Sequence, residues 1–185
     1  MSHILILSTS IRKGRKSHRV ALFFKRFIES SGQGTADIAD LDQYHFPLYE
    51  ERLKFLENPP AAVLELSARI KAASGVLIVT PEYNGGYPAS LKNVIDLYYD
   101  EWYHKPIAIS TVSDGVFGGS QVITSLQFLL WKMKAMTVTA MFPVPKVCES
   151  FSEDGVPTDP AGTEKRAGAF VKELFWYIGL VRENS

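Results

Sequence analysis

Apolar positions in this chain fall into short continuous runs and helical stripes that alternate from the N-terminus onward. Ile4 to Leu7 form an apolar run that stops at Ser8, Thr9 and Ser10, so residues 3 to 8 read as a first strand. From Ser17 to Ser30 the positions Val20, Ala21, Phe23, Phe24, Phe27 and Ile28 recur at helical spacing, with Lys25, Arg26 and Glu29 between them. Thr35 to Leu41 alternates weakly and suits an edge strand. Pro59 and Pro60, following Asn58, open a helix whose buried face is Val63, Leu64, Leu66, Ile70 and Ala73, and Gly75 ends it. Val76 to Val79 is a second fully buried strand, Pro88 to Tyr99 a helix and Pro106 to Val112 a strand. Gly119 to Lys134 reads as a helix, Met136 to Ala140 as a strand and Thr163 to Leu180 as the last helix.

Strands separated by helical patterns predict an α/β fold with a parallel sheet covered on both faces. Such sheets place ligands outside the carboxyl ends of their strands, where the winding reverses. The 185 residues, 46% of them hydrophobic, suffice for one sizeable core, so a single domain over residues 1–185 is expected. Ser152 to Gly162, rich in Pro, Asp and Gly, reads as a surface loop.

Charge removes two classes of partner. Twenty basic side chains balance twenty acidic ones, which argues against nucleic acid or an anionic membrane as main partner and makes any anion site local. No apolar stretch approaches the roughly 20 residues that span a bilayer, and Ile4 to Leu7 is too short for a signal peptide. Cys148 is the only cysteine, so a reducing, cytoplasmic compartment is expected and Cys148 reads as a structural thiol. His3, His45 and His104 lack metal-ligand spacing, no metal site is expected, and Asp37, Asp40 and Asp42 read as strand edge and turn.

Three loops leaving the first, third and fourth strands carry the candidate chemistry. The first, STSIRKGRKSHR (Ser8 to Arg19), sets hydroxyls and five cationic side chains before a helix start. A helix N-terminus offers free N–H groups and a positive dipole end, so a phosphate fits there; a solvated basic loop with Ser17 as N-cap explains the residues equally well. The loop lacks the P-loop lysine pattern, and no G-x-G-x-x-G follows any strand. The second, TPEYNGGYPASLKN (Thr80 to Asn93), brings Pro81, Glu82, Tyr83, Asn84, Gly85 and Gly86 together. Its glycines allow positive φ and close approach of backbone to a flat ligand, whereas a plain turn accounts for the glycines but not for the aromatic and the acid beside them. The third, SDGVFGG (Ser113 to Gly119), again supplies a hydroxyl, glycines and a helix start.

Taken together, S-x-R-x-x-x-x-S at Ser10, Arg12 and Ser17, the stretch P-E-Y-N-G-G-Y-P-A-S-L-K-N-x-x-D from Pro81 to Asp96, and the glycine-rich third loop resemble the NAD(P)H-dependent FMN reductases, flavodoxin-like enzymes that include quinone, azo and chromate reductases. The match runs over Ile4 to Ala140, with the middle motif its most specific part. The resemblance implies a flavodoxin-like three-layer sandwich with strand order 2-1-3-4-5. It places the phosphate of FMN on Ser10, Arg12, Ser17 and His18, and the isoalloxazine along Pro81, Glu82, Tyr83, Asn84 and Gly85, with Ser113 and Gly115 closing the far side. Thr9 stands where the family often has glycine, His18 where asparagine is common and Leu97 where a tryptophan frequently follows the aspartate.

That resemblance further implies a reaction carried by the flavin, with hydride from NADPH or NADH delivered to N5 and electrons passed to a small-molecule acceptor in the same space by a ping-pong mechanism. No side chain is then needed as catalytic acid or base. It also implies a homodimer or homotetramer paired through the helices after the second and third loops. The residues Leu91, Val94, Ile95, Leu97, Tyr98, Tyr99, Trp102 and Tyr103 on the first segment, and Val122, Ile123, Leu126, Phe128, Leu129, Leu130 and Trp131 on the second, supply more apolar surface than one buried face requires, although for Tyr98, Tyr99, Trp102 and Tyr103 core packing is the first reading and a subunit contact the second. Two rival readings stay open on the sequence: an FMN electron carrier that does not oxidise NAD(P)H, and a flavin-free protein binding a sugar phosphate or nucleotide at the basic loop.

Overall fold

The computed structural model describes residues 1–184. Five parallel strands, β1 (Ser2–Ser8), β2 (Gly34–Asp40), β3 (Gly75–Pro81), β4 (Pro106–Val112) and β5 (Met136–Val144), form one sheet in the order β2-β1-β3-β4-β5. The helices are α1 (His18–Ser30), α2 (Leu41–Tyr44), α3 (Ala61–Ala72), α4 (Ala89–Leu97), α5 (Gln121–Lys132), α6 (Val147–Ser150) and α7 (Pro160–Glu183). Strand alternation sorts the core into two halves. Ile4 and Ile6 of β1 pack with Phe24 of α1 and Phe170 of α7, while Leu5 and Leu7 pack with Leu66 of α3, Val94 of α4 and Leu126 of α5. Because helices cover both faces, β3 and β4 are buried throughout, as their continuous apolar runs demand.

Element ends follow from local chemistry. Pro60, with its fixed φ, stands immediately before α3, as Pro88 does before α4, and the Asp159 carboxylate accepts from the Gly162 N–H at the start of α7. The expected helix starts at Pro59 and Thr163 therefore move by two or three residues. β5 continues past the expected Ala140 to Val144, beyond a shift of register between Ile107 and Ile109 in its partner β4. That extension brings the Phe142 side chain into the α1–α7 core and lets the Val144 carbonyl accept from the Ser113 N–H at 3.0 Å.

Of the two readings of the aromatics after α4, core packing holds for Tyr98 and Trp102, which do not face outward as a surface for a second chain. Both are fully buried in the α3–α4–α5 core, the Tyr98 hydroxyl donating to the Val63 carbonyl at 2.9 Å and the Trp102 indole N–H to that of Ile95 at 3.3 Å. Burial and the neighbouring Glu101 carboxylate push the Tyr98 pKa well above that of a free phenol. α5 does keep an outward aromatic pair, with Phe128 63% and Trp131 66% exposed.

Candidate functional site

The first, third and fourth strands end side by side, so their loops converge by register alone. Ser8 pairs with Val79, and Pro81 with Val112. Main-chain atoms tie the loops together just beyond. The Thr9 N–H and hydroxyl both donate to the Val79 carbonyl, at 3.2 and 3.1 Å, and the Ser90 hydroxyl donates to the Thr9 carbonyl at 2.5 Å. Thr9, which departs from the glycine common in the family, is thus a clamp between the first two loops.

Between the loops lies a cavity of about 290 Å³. Arg12 to Ser17 form one wall, Pro81, Glu82 and Tyr83 a second, and Ser113 and Asp114 a third, with Val147 also lining it. Of the residues singled out in the sequence, Arg12, Ser17, Pro81, Glu82, Tyr83 and Ser113 line this space. Ser10 is buried beside it, its hydroxyl sharing a 2.6 Å hydrogen bond with the Tyr83 hydroxyl. Asn84 and Gly85 form the tip of a tight turn in which Tyr83 and Gly86 exchange two backbone hydrogen bonds, of 2.8 and 3.1 Å. Their φ values of +53° and +78° are those of a type I′ hairpin turn, which explains the Asn-Gly pair independently of any ligand. Gly115 stands behind Ser113, its carbonyl accepting from the Ser113 hydroxyl at 3.1 Å.

His18 does not line this cavity. Its Nδ1 shares a 2.9 Å hydrogen bond with Ser8 Oγ and lies 3.6 Å from an Asp40 carboxylate oxygen, at the carboxyl ends of β1 and β2. Burial lowers its pKa and Arg15 adds to that effect, against the pull of Asp40. Arg15, one of the five cations of the first loop, organises this region. Its guanidinium makes a two-pronged pair with the Asp40 carboxylate and donates to the Ser10 carbonyl at 2.8 Å. Burial alone would lower the Arg15 pKa, but the Asp40 pair outweighs it and the pKa is raised. Pairing between positions 15 and 40 leaves no local signal in the sequence, where Asp40 reads as strand edge or turn.

The loop's other cations differ from Arg15. Among the described residues the Arg12 and Lys13 side chains make no ion pair or hydrogen bond, although both border the cavity. Lys16 Nζ lies 2.9 Å from Cys148 Sγ, which is 3.1 Å from Asp114 Oδ1. Cys148 is therefore an exposed thiol at the cavity rim, not the structural thiol expected. Ser17 is the most informative residue. It is 2% exposed, its backbone is already helical and its side chain makes no capping bond; among the described residues its hydroxyl oxygen is the one buried side-chain polar atom without a hydrogen-bond partner.

A sheet of order β2-β1-β3-β4-β5, with its cavity at the carboxyl ends of β1, β3 and β4, defines a flavodoxin-like protein. The sequence profile of the NADPH-dependent FMN reductases matches residues 2–148, and the chain belongs to that family of oxidoreductases, whose cofactor is FMN and whose electron donor is NAD(P)H. It is 33% identical to the NAD(P)H-dependent FMN reductase LOT6 of Saccharomyces cerevisiae over 166 residues, covering 82% of this chain and 86% of that one. It is 36% identical to the quinone reductase of Escherichia coli K12 over 141 residues, 73% of this chain and 72% of that one. Among solved structures, the flavoenzyme NAD(P)H:(acceptor) oxidoreductase FerB of Paracoccus denitrificans superposes with a TM-score of 0.75 at 27% identity, covering 96% of this chain and 97% of that one.

The residues present suit the cofactor. A buried hydroxyl that lacks a partner in the protein, set at the start of α1 beside two unpaired cations, fits a phosphate group. The Pro81–Tyr83 and Ser113–Asp114 walls enclose the adjoining space, where a flat ring can lie.

Proposed function

We propose that this protein binds FMN noncovalently in the cavity between the three loops and uses it to oxidise NAD(P)H and reduce a small-molecule acceptor such as a quinone, an azo compound or a free flavin. The single observation that carries the assignment of the site is the unpartnered Ser17 hydroxyl within a cationic loop. Ser17, Arg12 and Lys13 hold the phosphate. Pro81, Glu82 and Tyr83 flank one side of the ring, with Asn84 and Gly85 shaping the end of that wall, and Ser113 and Gly115 flank the other side. Ser10 acts through Tyr83, whose hydroxyl it orients, and His18 supports the loop from behind through Ser8 and Asp40.

When bound, the flavin supplies two-electron chemistry, accepting hydride from a nicotinamide and donating electrons onward. The chain's own part is orientation: ties to main-chain carbonyls fix the loops around one cavity, which donor and acceptor share in this reading. The two substrates therefore react in turn. Initial rates at several fixed acceptor concentrations give parallel double-reciprocal lines; intersecting lines with a ternary complex would overturn this.

The chain acts as one domain over residues 1–185. It works in the cytoplasm as a homodimer or homotetramer, joined through the Phe128 and Trp131 face of α5. Among the described residues no helix is long and apolar enough to cross a membrane.

A further inference from the structure

The Cys148 thiol stands at the cavity rim with no part in the activity proposed above, between two charges that belong to different walls. Lys16 of the first loop donates from Nζ to Cys148 Sγ at 2.9 Å, and the thiol donates to Asp114 Oδ1 of the third loop at 3.1 Å. Lys16 and Asp114 both line the cavity. The sulfur holds the ammonium and the carboxylate apart, and among the described residues they form no ion pair with each other.

Asp114 is fixed from both sides by main chain. Before it, the Ser113 N–H donates to the Val144 carbonyl at 3.0 Å and the Ser113 carbonyl accepts from the Val147 N–H at 3.1 Å. After it, the Gly115 carbonyl accepts from the Lys146 N–H at 3.2 Å. The start of α6 thus supplies both the thiol that meets the carboxylate and the donors that set the backbone around it. A carboxylate is thereby held in the wall of the space left for the ring. Glu82, the carboxylate on the facing wall, has no side-chain hydrogen bond or ion pair among the described residues, so its charge is not fixed in the same way. The other cations of the cavity are engaged elsewhere: Arg15 pairs with Asp40, and Arg12 and Lys13 hold the phosphate in the reading above.

We infer that Asp114, held in place by Cys148 without being neutralised, lowers the reduction potential of the bound flavin. This rests on the cofactor site proposed above. Taking a hydride from NAD(P)H, which leaves as NAD(P)⁺, brings two electrons and one proton to the ring and therefore one net negative charge. A fixed carboxylate in the wall opposes that charge, so the reduced protein gives its electrons more readily to an acceptor. Charge placed near the ring is one of the few levers a protein has on a cofactor that carries the chemistry itself. At the effective dielectric of a protein site, a unit charge about one cavity's width away shifts such an equilibrium by about fivefold. Cys148 is the positioning residue: its neutral S–H satisfies Asp114 and leaves the charge standing, whereas direct pairing with Lys16 would cancel much of it.

The test measures the midpoint potential of the FMN-loaded protein by spectroelectrochemistry, which needs no turnover, in wild type and three variants. Both positions are exposed, and Asp114→Asn, Cys148→Ser and Cys148→Ala keep or reduce the side chain's size. Asp114→Asn should raise the potential by the equivalent of about fivefold, or about 20 mV for a two-electron couple. Cys148→Ala should raise it by less, as Lys16 closes on Asp114, and Cys148→Ser, whose hydroxyl donates in the same place, should restore the wild-type value. By linkage, apoprotein carrying Asp114→Asn should bind reduced FMN about fivefold more tightly relative to oxidised FMN than wild type does, read by anaerobic titration with each form. An Asp114→Asn potential equal to or below that of wild type overturns the inference and leaves the FMN site standing, as does one common potential for Cys148→Ala and Cys148→Ser. A wild-type protein that does not retain FMN sinks the site and the inference together.

Discussion

Ser17→Ala should move two measurements in opposite directions. In the protein without FMN the Ser17 hydroxyl is buried and has no hydrogen-bond partner in the protein, a state that costs about 1–3 kcal/mol. Alanine removes the hydroxyl, loses no capping bond and suits the helical backbone already present at this position. A gain of about 1 kcal/mol would raise the Tm of the FMN-free protein by roughly 2–4 °C for a chain of this length. FMN affinity should fall instead, since a hydrogen bond to a charged phosphate is worth about 1.5–3 kcal/mol, or roughly tenfold to 150-fold in Kd. Riboflavin lacks the phosphate, so its already weaker binding should not change. Differential scanning fluorimetry of the apoprotein and quenching of flavin fluorescence read the two effects separately. An FMN Kd equal to wild type, or a Tm that falls, would refute the assignment of this hydroxyl to the phosphate.

Two further outcomes test the surroundings. The folded-state pKa of His18 is lowered from 6.5, so the unfolded chain binds more protons in the window between the two values; this contribution to stability is fully present above pH about 6.5 and is lost as pH falls through that window. Denaturant unfolding of the apoprotein at pH 7.5 and pH 5.5, both chosen around that value, should show a smaller acid loss in His18→Gln than in wild type, and an equal loss would refute it. Trp131→Glu on the outward face of α5 should convert an assembly into monomers in light scattering with little change in Tm, since Trp131 is 66% exposed; a wild-type mass of one chain would refute the pairing.

Much of the fold was legible because it rests on patterns local in sequence. Ile4 to Leu7 and Val76 to Val79 had to be strands covered on both faces, and their register alone brings the loops together. The tight turn at Asn84 and Gly85 was equally readable, because positive φ at two successive residues narrows the choice of amino acids. What escaped depends on partners distant in the chain. Core packing of Tyr98 and Trp102 could be read from the sequence, but not their carbonyl partners at Val63 and Ile95. Arg15 and Asp40 each look like solvated charges until the fold joins them. The partners of His18 likewise lie apart in sequence: Ser8 shares a hydrogen bond with its imidazole, and Asp40 lies 3.6 Å away.

The ties that hold the three loops bear on how such a protein can change. Thr9 to Val79, Ser90 to Thr9, Glu82 to Val112, Ser113 to Val144 and Val147 to Ser113 all end on a main-chain carbonyl, and all but Ser90 to Thr9 have a main-chain N–H as donor. Substitution replaces side chains and leaves carbonyls where they were. The walls facing the cavity can thus be rewritten residue by residue while the frame that positions them persists. One scaffold of this kind can drift from one electron acceptor to another without passing through an unfolded ancestor, and a laboratory library at Glu82, Tyr83, Ser113 and Asp114 would start from the same freedom.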